Sequence, residues 1–161
     1  MLSLGRKEVE NYLLEPAVLT RAMAGAAEKR RARVRTEVAL PTLEMVRSKL
    51  TEIVSDMEIR DLVRWHLVPQ YRETLDTHLD TSTREANAEQ WFTKQWEDGQ
   101  WRIRNCPGKS VLKKVRNWAQ NGFGLTLTTK LIMDALTECP ADIADTAQKL
   151  QTYFYGDTSG V

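Results

Sequence analysis

Apolar residues recur three and four positions apart along most of the chain, the spacing that places them on one face of an α-helix. The pattern is clearest in three segments, whose apolar positions are Val18, Leu19, Ala22, Met23 and Ala26; Leu43, Val46, Leu50, Ile53 and Val54; and Val111, Leu112, Val115 and Trp118. Proline or a capping residue precedes several of these segments, as is common at helix starts. The sequence therefore predicts a mainly α-helical single domain of about six to eight helices.

Two short segments alternate between apolar and other residues, and they are the candidates for β-strands. They are residues 1–4 and residues 101–104, the second of which follows the turn signal Asp98-Gly99. We expect at most one or two very short strands, formed if these segments pair. Pro140 is predicted to begin the last helix. The helical domain is expected to span residues 1–155, and residues 156–161 have the composition of a flexible tail.

Cap-type residues predict where individual helices begin and end. Thr42 is expected to cap the start of one helix, and Ser55 and Asp56 are cap-type residues before the next. The segment Ser82–Glu85 has the spacing of a capping box, and Asn121-Gly122 is typical of a left-handed helix end. Pro69 is expected to bend or restart the helix that contains it, because proline lacks the backbone N–H of a regular turn.

The composition excludes several classes of protein. Of 161 residues, 42% are hydrophobic and 28% are charged, which is typical of a globular domain. Two cysteines and two histidines are too few for a disulfide framework or a histidine-rich metal site. No apolar run reaches the length of a membrane span, and the first residues lack a signal-peptide core. We therefore expect a cytoplasmic protein with no membrane partner.

The net charge of +1 conceals alternating blocks of opposite sign. Residues 1–36 hold eight basic and four acidic side chains, whereas residues 37–90 hold six and eleven. Residues 91–124 then hold seven and two, and residues 125–161 hold two and five. Such alternation suits salt bridges between packed helices or across a homodimer, and it also suits a nucleic-acid surface.

Two basic segments are the candidates for contacting phosphate or nucleic acid. Residues 29–35 contain five cations, and residues 102–116 place cations near tryptophans, a pattern found in single-strand binding. The candidate contacts are Arg30, Arg31, Arg33, Arg35, Arg102, Arg104, Lys109 and Lys113. The alternative is that the arginines are solvated or cover apolar surface, while the tryptophans anchor the core.

The segment Cys106–Ser110 ends in Gly-Lys-Ser, like a phosphate-binding P-loop. A complete P-loop has a glycine five residues before Gly108, and Ile103 occupies that position. A Pro-Gly turn that opens a helix is the favoured interpretation. No nucleophile, histidine and acid stand in a recognisable arrangement, so we expect neither catalysis nor a cofactor in this chain alone.

Two segments carry a family resemblance. Residues 4–16 read LGRKEVENYLLEP, residues 107–112 read PGKSVL, and a Pro-initiated segment follows at residues 140–143. The first resembles the Arg-x-Glu-Ile-Glu-Asn-Tyr-Leu-Leu-x-Pro signature of ATPases of the overcoming-lysogenization-defect (OLD) type and related defence ATPases. The second is similar to the Gly-Lys-x-x-Leu element that comes later in the same C-terminal region.

The resemblance implies a particular role for several residues. In that family an ATPase domain controls a Mg²⁺-dependent Toprim-type nuclease or an associated effector. Glu8 or Glu10 would be a late acidic residue of the nuclease site and a Mg²⁺ ligand, and Lys109 a basic residue near it. This chain has no P-loop, ATPase signature or Asp-x-Asp pair. Mg²⁺ is therefore expected only in a full-length context.

The predicted function is that of a non-catalytic helical domain that assembles with, or completes, an OLD-like nuclease. Its expected partner is an ATPase/nuclease or a missing N-terminal portion of the same protein. Two alternatives stay open. One is a stand-alone helical protein that binds nucleic acid through residues 29–35 and 102–116. The other is a helical adaptor that binds only protein.

Overall fold

The computed structural model describes residues 9–34 and 37–136. Within these ranges the chain forms seven α-helices and one short 3₁₀ helix, joined by loops. The elements are the 3₁₀ helix Val9–Leu13, α1 (Pro16–Val34), α2 (Leu43–Val54), α3 (Met57–Thr74), α4 (Thr81–Trp96), α5 (Gly99–Asn105), α6 (Gly108–Phe123) and α7 (Thr129–Asp134). No β-strand occurs within these ranges. The predicted mainly α-helical domain is confirmed.

The predicted apolar faces form one core. α1 packs against α2 and α7, and α2 also contacts α3, α5 and α6. The 3₁₀ helix lies against α5 and α6. The largest fully buried side chains come from α1, α2, α3, α4, α7 and two connecting loops: Phe92, Leu14, Leu19, Met23, Leu50, Ile59, Leu125 and Ile132. Burial of these faces is the dominant favourable contribution to folding.

Helices α3 and α4 form an antiparallel pair. Arg64 binds Glu89 through two hydrogen bonds, and Arg72 donates to Glu85 at 2.9 Å nearer the connecting loop. Between the helices, the rings of Tyr71 and Trp91 stack with centroids 4.1 Å apart. The pair is therefore joined by ion pairs outside and by aromatic packing inside.

Residues 101–104 are helical, so the strand predicted there is wrong. Asp98 accepts a hydrogen bond from the backbone N–H of Gln100 at 2.8 Å and thereby caps α5. Trp101 packs edge-on against Trp91 and Phe92 of α4, with ring centroids 6.1 Å apart in both pairs. Four residues are too few to distinguish a strand period from a helix face, and aromatic packing favours the helix here.

The predicted caps are partly correct. Thr42 and Asp56 accept hydrogen bonds from the first turns of α2 and α3, as expected. α4 is capped by Asp80 instead of beginning at the predicted capping box, because Asp80 accepts from the Thr83 N–H at 2.9 Å. α6 continues past Asn121-Gly122 and ends at Gly124, whose φ is 63°. α3 continues through Pro69 without restarting.

Several predicted features lie outside the described residues. They are the strand at residues 1–4, the helix beginning at Pro140 and the tail at residues 156–161. Among the helices of residues 9–34 and 37–136, none combines the length and apolar character that crossing a membrane requires.

Candidate functional site

Asn11 is fully buried in the 3₁₀ helix and joins it to the end of α5. Its Nδ2 donates to the carbonyl oxygens of Ile103, Arg104 and Cys106 at 2.7, 3.2 and 3.0 Å. The last carbonyls of a helix have no acceptor role within that helix, so a side-chain donor is needed if they are buried. Asn11 supplies it. The first motif is thereby attached to the residues immediately before the second.

Gly108 brings the start of α6 against the same 3₁₀ helix. A Cβ atom at this position would overlap the side-chain oxygen of Asn11 and would lie 3.0 Å from the Cβ of Glu10. A residue without Cβ permits this approach. The glycine of the Gly-Lys element is thus explained by helix packing, with no phosphate required.

Glu10 and Lys109 meet at this junction. The Lys109 Nζ lies 3.8 Å from the Glu10 Oε1, with the lysine side chain 78% exposed and the glutamate side chain 29% exposed. The two residues are held together because Asn11 and Gly108, their chain neighbours, are in contact. The arrangement places one carboxylate and one cation side by side at the surface, as the resemblance implies for Glu10 and Lys109.

The described residues do not by themselves form a Mg²⁺ site. A divalent cation takes several oxygen ligands, and carboxylates usually supply more than one of them. Glu10 is paired with an ammonium group, and no cluster of three or more acidic, histidine or cysteine side chains occurs in the described ranges. Glu8 lies outside those ranges. The predicted Mg²⁺ role of Glu8 and Glu10 therefore depends on ligands from beyond the described residues.

The Gly-Lys-Ser sequence opens α6 as a helix start. Lys109 and Ser110 lie in its first turn, and helix α5 precedes it where a P-loop would follow a strand. Cys106 between the helices is buried, and its thiol donates to the carbonyl oxygen of Ile103 at 3.3 Å. The segment therefore connects two helices and offers no phosphate cradle.

The arginines of the first basic segment have unequal roles. The Arg30 guanidinium covers Gly124 and donates to the carbonyl oxygen of Phe123 at 2.7 Å, closing the end of α6. Arg31 donates to the carbonyl oxygen of Val38 at 3.4 Å. Arg33 is exposed, and Arg35 lies outside the described residues. Arg30 therefore stabilises the end of α6, whereas Arg33 faces solvent.

The second basic segment also contains both cations that contact other side chains and cations that are exposed. The Arg102 guanidinium lies 5.8 Å from the ring centre of Trp96, a cation–π contact. Lys114 binds Glu58 at 2.8 Å and Asp56 at 3.2 Å, and these hydrogen bonds raise the pKa of Lys114. Arg104 and Lys113 are exposed. Lys109 of the same segment is 78% exposed as well, so Arg102 is its one candidate cation that is not exposed.

Arg30 and Lys109 lie at opposite ends of α6. Arg30 contacts its last turn, whereas Lys109 lies in its first turn and Arg104 lies in α5, four residues before α6 begins. A helix of 16 residues is about 24 Å long, so a single phosphate cannot touch both Arg30 and Lys109. The structure does not bring the predicted contacts into one cluster.

The tryptophans near the second segment pack against the core. Trp91, Trp96, Trp101 and Trp118 are each half-buried, as expected for core anchors more than for a row of free stacking platforms. One face of Trp91 is occupied by Tyr71. Bases could reach these rings only where an edge or face stays exposed.

Sequence reasoning missed the role of Asn11 and the reason for Gly108. The available signal was a single amide side chain directly before the run Tyr12–Leu14. A polar residue in such a position is buried with its hydrogen bonds satisfied more often than not. Its acceptors could not be named, because they are about 95 residues away in the chain.

Comparisons with known proteins identify no relative. No protein-family model matches the chain, and neither a curated protein nor a solved structure is significantly similar to it.

Proposed function

We propose that this chain is a non-catalytic helical domain of an OLD-like ATPase/nuclease assembly, in which it presents Glu10 and Lys109 to a nuclease site completed by other residues. The observation that carries the proposal is the contact between the two resembling motifs. Asn11 of the first motif and Gly108 of the second touch directly, although 97 positions separate them. Motifs that serve one site are expected to meet in the fold.

The chemistry of the junction agrees with this role. Hydrolysis of a phosphodiester needs carboxylates for the metal ions and a cation against the charge of the transition state. Glu10 and Lys109 could contribute one group of each kind, and Lys109 is well exposed to a partner. The remaining carboxylates would come from an ATPase/nuclease partner or from a preceding part of the same protein.

The proposed cellular location and biological process follow from the same resemblance. We place the protein in the cytoplasm, where an ATPase partner has its nucleotide, and we assign it to defence against phage. The chain itself would supply scaffold, assembly contacts and the Glu10–Lys109 pair, and the partner would supply ATP hydrolysis and the remaining Mg²⁺ ligands.

Site-specific photo-crosslinking tests the proposal. A benzophenone amino acid replaces Lys109 in cells that express the chain in its own genetic context, and crosslinked products are identified by mass spectrometry. We expect products with a polypeptide that carries a P-loop ATPase or Toprim-type sequence.

Lys130 provides the matched control position. It is equally exposed, at 81%, but it lies on α7 and pairs only with Asp134 among the described residues. The same crosslinker at Lys130 should not capture the ATPase/nuclease. Equal capture from both positions, or products at Lys109 that contain nucleic acid only, would contradict the proposal.

A stand-alone nucleic-acid-binding function is the second candidate. It is favoured by Arg33, Arg104 and Lys113, which are exposed and are used by no ion pair within the described residues. Fluorescence anisotropy with single- and double-stranded DNA at low and near-physiological salt measures it. If these residues bind phosphate, Arg104→Gln and Lys113→Gln should each reduce the slope of log affinity against log salt by about one.

A flat anisotropy signal at low salt would remove this candidate. Binding of a partner protein without nucleic acid, and without an ATPase/nuclease sequence in that partner, would instead support the protein-only adaptor.

A further inference from the structure

Trp65 on α3 is 83% exposed, the highest value among the large hydrophobic side chains of the described residues. It lies between Leu62 and Pro69 at spacings of three and four, so the three side chains share one helix face. Leu62 is 48% exposed, and Pro69 is also exposed. An indole directed into water beside two more apolar groups indicates a contact surface.

A cleft adjoins this face between α3 and α4. The cleft is open to solvent, its volume is about 280 Å³, and it is lined by Arg64, Trp65, Val68, Pro69, Glu85 and Glu89. Val68 is its buried apolar member, at 4% exposed. The volume exceeds the roughly 150 Å³ that admits a benzene ring, so the cleft is large enough for an indole.

The polar groups of the cleft match the requirements of an indole. An indole has one N–H donor and no acceptor. The carboxylates of Glu85 and Glu89 line the cleft, and Pro69 has no N–H to donate to the Trp65 carbonyl. These oxygens are acceptors for an indole N–H. Arg64, held by Glu89, is a cation that can lie over the ring.

We propose that this face binds a second copy of the chain across a two-fold axis near Trp65, with the indole of each protomer entering the cleft of the other. A two-fold interface uses the same patch on both subunits, so it must contain both the protruding group and its receptor. Trp65 and the cleft lie side by side on one face and meet this requirement.

The charges along α3 fit the same arrangement. Glu58 and Arg72 stand seven residues before and seven residues after Trp65, on the helix face that carries it. When two α3 helices run antiparallel about Trp65, Glu58 of each copy lies opposite Arg72 of the other. Leu62 lies opposite Val68 and beside Pro69, since Leu62 and Val68 are three positions before and after Trp65. Within each copy Glu58 also binds Lys114 and Arg72 also binds Glu85, so each contact across the axis would be shared with an internal ion pair. The side chains of Glu58 and Arg72 are nevertheless 69% and 34% exposed. Charges of opposite sign therefore face each other at both ends of the contact, with Leu62 and Trp65 between them.

Sedimentation velocity tests the proposal, using the whole chain at concentrations from about 5 to 500 μM because association follows mass action. We expect a monomer–dimer equilibrium. Trp65→Ala should weaken the dimer by at least about 30-fold, the loss typical of a central tryptophan in an interface. Met133→Ala is the matched control, since Met133 is 57% exposed on α7, and it should leave the dimer unchanged.

A charge exchange tests the antiparallel register separately. Glu58→Arg and Arg72→Glu should each weaken self-association, and mixing the two variants should restore it through opposite charges across the interface. Thermal melts confirm that each variant is folded. A chain that is monomeric throughout the concentration range, or a dimer that Trp65→Ala does not weaken, overturns the proposal. A mixture that associates no better than its components overturns the register.

Discussion

The side-chain amide of Asn11 donates a hydrogen bond of 2.7 Å to the carbonyl oxygen of Ile103, 92 residues further along the chain. Both groups belong to short elements, a 3₁₀ helix of five residues and an α-helix of seven. Such elements are marginal alone, because short helices leave most of their terminal groups unpaired. The bond stabilises both at once and sets the position of Glu10 relative to α6.

Replacing Asn11 should destabilise the domain strongly. Asn11→Ala removes the donor from the carbonyls of Ile103 and Cys106, at an expected cost of about 1–3 kcal/mol in the free energy of unfolding. Asn11→Asp should cost more, because a buried carboxylate would face those carbonyl oxygens. Urea unfolding measures both variants. Asn117→Asp, at an exposed position, is the control and should change stability by less than about 0.5 kcal/mol.

Two glycines of α6 should respond to alanine with opposite signs. Gly108→Ala forces a Cβ against Asn11, and we expect a loss of about 1–3 kcal/mol. Gly122 lies in the same helix, and a Cβ atom there would meet no atom closer than 4.0 Å. Gly122→Ala should therefore stabilise the domain by about 0.5–1 kcal/mol, because alanine has a higher helix propensity than glycine. Equal effects in chemical denaturation would contradict the close approach of the 3₁₀ helix to α6.

Replacing Arg30 should lower the stability of the domain, whereas replacing the exposed Arg33 should not. Arg30→Gln loses a charged donor to the Phe123 carbonyl, with an expected cost of about 1.5–3 kcal/mol in unfolding free energy. Arg33→Gln should stay within about 0.5 kcal/mol of the wild type. Thermal or urea unfolding compares them. If the two variants are equally stable, Arg30 does not hold the end of α6.

The cap of α4 should make stability depend on pH in acid. Hydrogen bonds from Ser82 and Thr83 lower the pKa of Asp80, so its ionised form is favoured by folding. The stabilisation is present above the unfolded pKa of about 3.9 and is lost as the pH falls toward the lower folded value. Asp80→Ala should therefore reduce Tm at pH 7, and the difference from wild type should narrow below about pH 4.

Asp80→Asn is the control for the cap, because asparagine keeps the side-chain acceptor without titrating. Its Tm at pH 7 should stay closer to wild type than that of Asp80→Ala. A difference between wild type and Asp80→Ala that persists unchanged at the lowest pH would show that the carboxylate charge is not what stabilises α4.

The isolated chain should cleave neither DNA nor ATP. Glu10 is the one carboxylate that the described junction contributes, and a Mg²⁺ site for hydrolysis needs more. Incubation with Mg²⁺ and plasmid DNA, followed by gel analysis, is the measurement. Mg²⁺-dependent cleavage that Glu10→Gln abolishes would make the chain a nuclease in its own right.

The helices could be predicted from the sequence where long apolar faces define them. α1, α2 and α6 have predicted faces that are largely buried, because a helix of twelve or more residues repeats its spacing several times. α5 could not be distinguished from a strand in four residues. Its helical form depends on the packing of Trp101 against α4, which is information from elsewhere in the chain.

The candidate site could not be derived from the residue pattern, because periodicity gave no reason to bring the two motifs together. The resemblance implied that Lys109 lies near Glu8 or Glu10. In the structure Lys109 lies 3.8 Å from Glu10, and the role of the pair stays a prediction. The basic segments could not be resolved into structural and exposed members, because neighbouring arginines in one helix contact different surfaces. Arg30 donates to a carbonyl of another helix, whereas Arg33 is exposed. The density of positive charge in the segment cannot predict this difference.

The attachment of Asn11 to the end of α5 also sets the timing of folding during synthesis. A ribosome adds about 5–20 residues each second, so the 95 residues between Asn11 and Cys106 take roughly 5–20 s to appear. Throughout that interval the amide has none of its three carbonyl partners, and Arg30 also lacks its acceptor at Phe123. The 3₁₀ helix and α1 are thus synthesised well before the contacts that secure them, and a nascent chain that stalls before α6 leaves them open to chaperones and proteases.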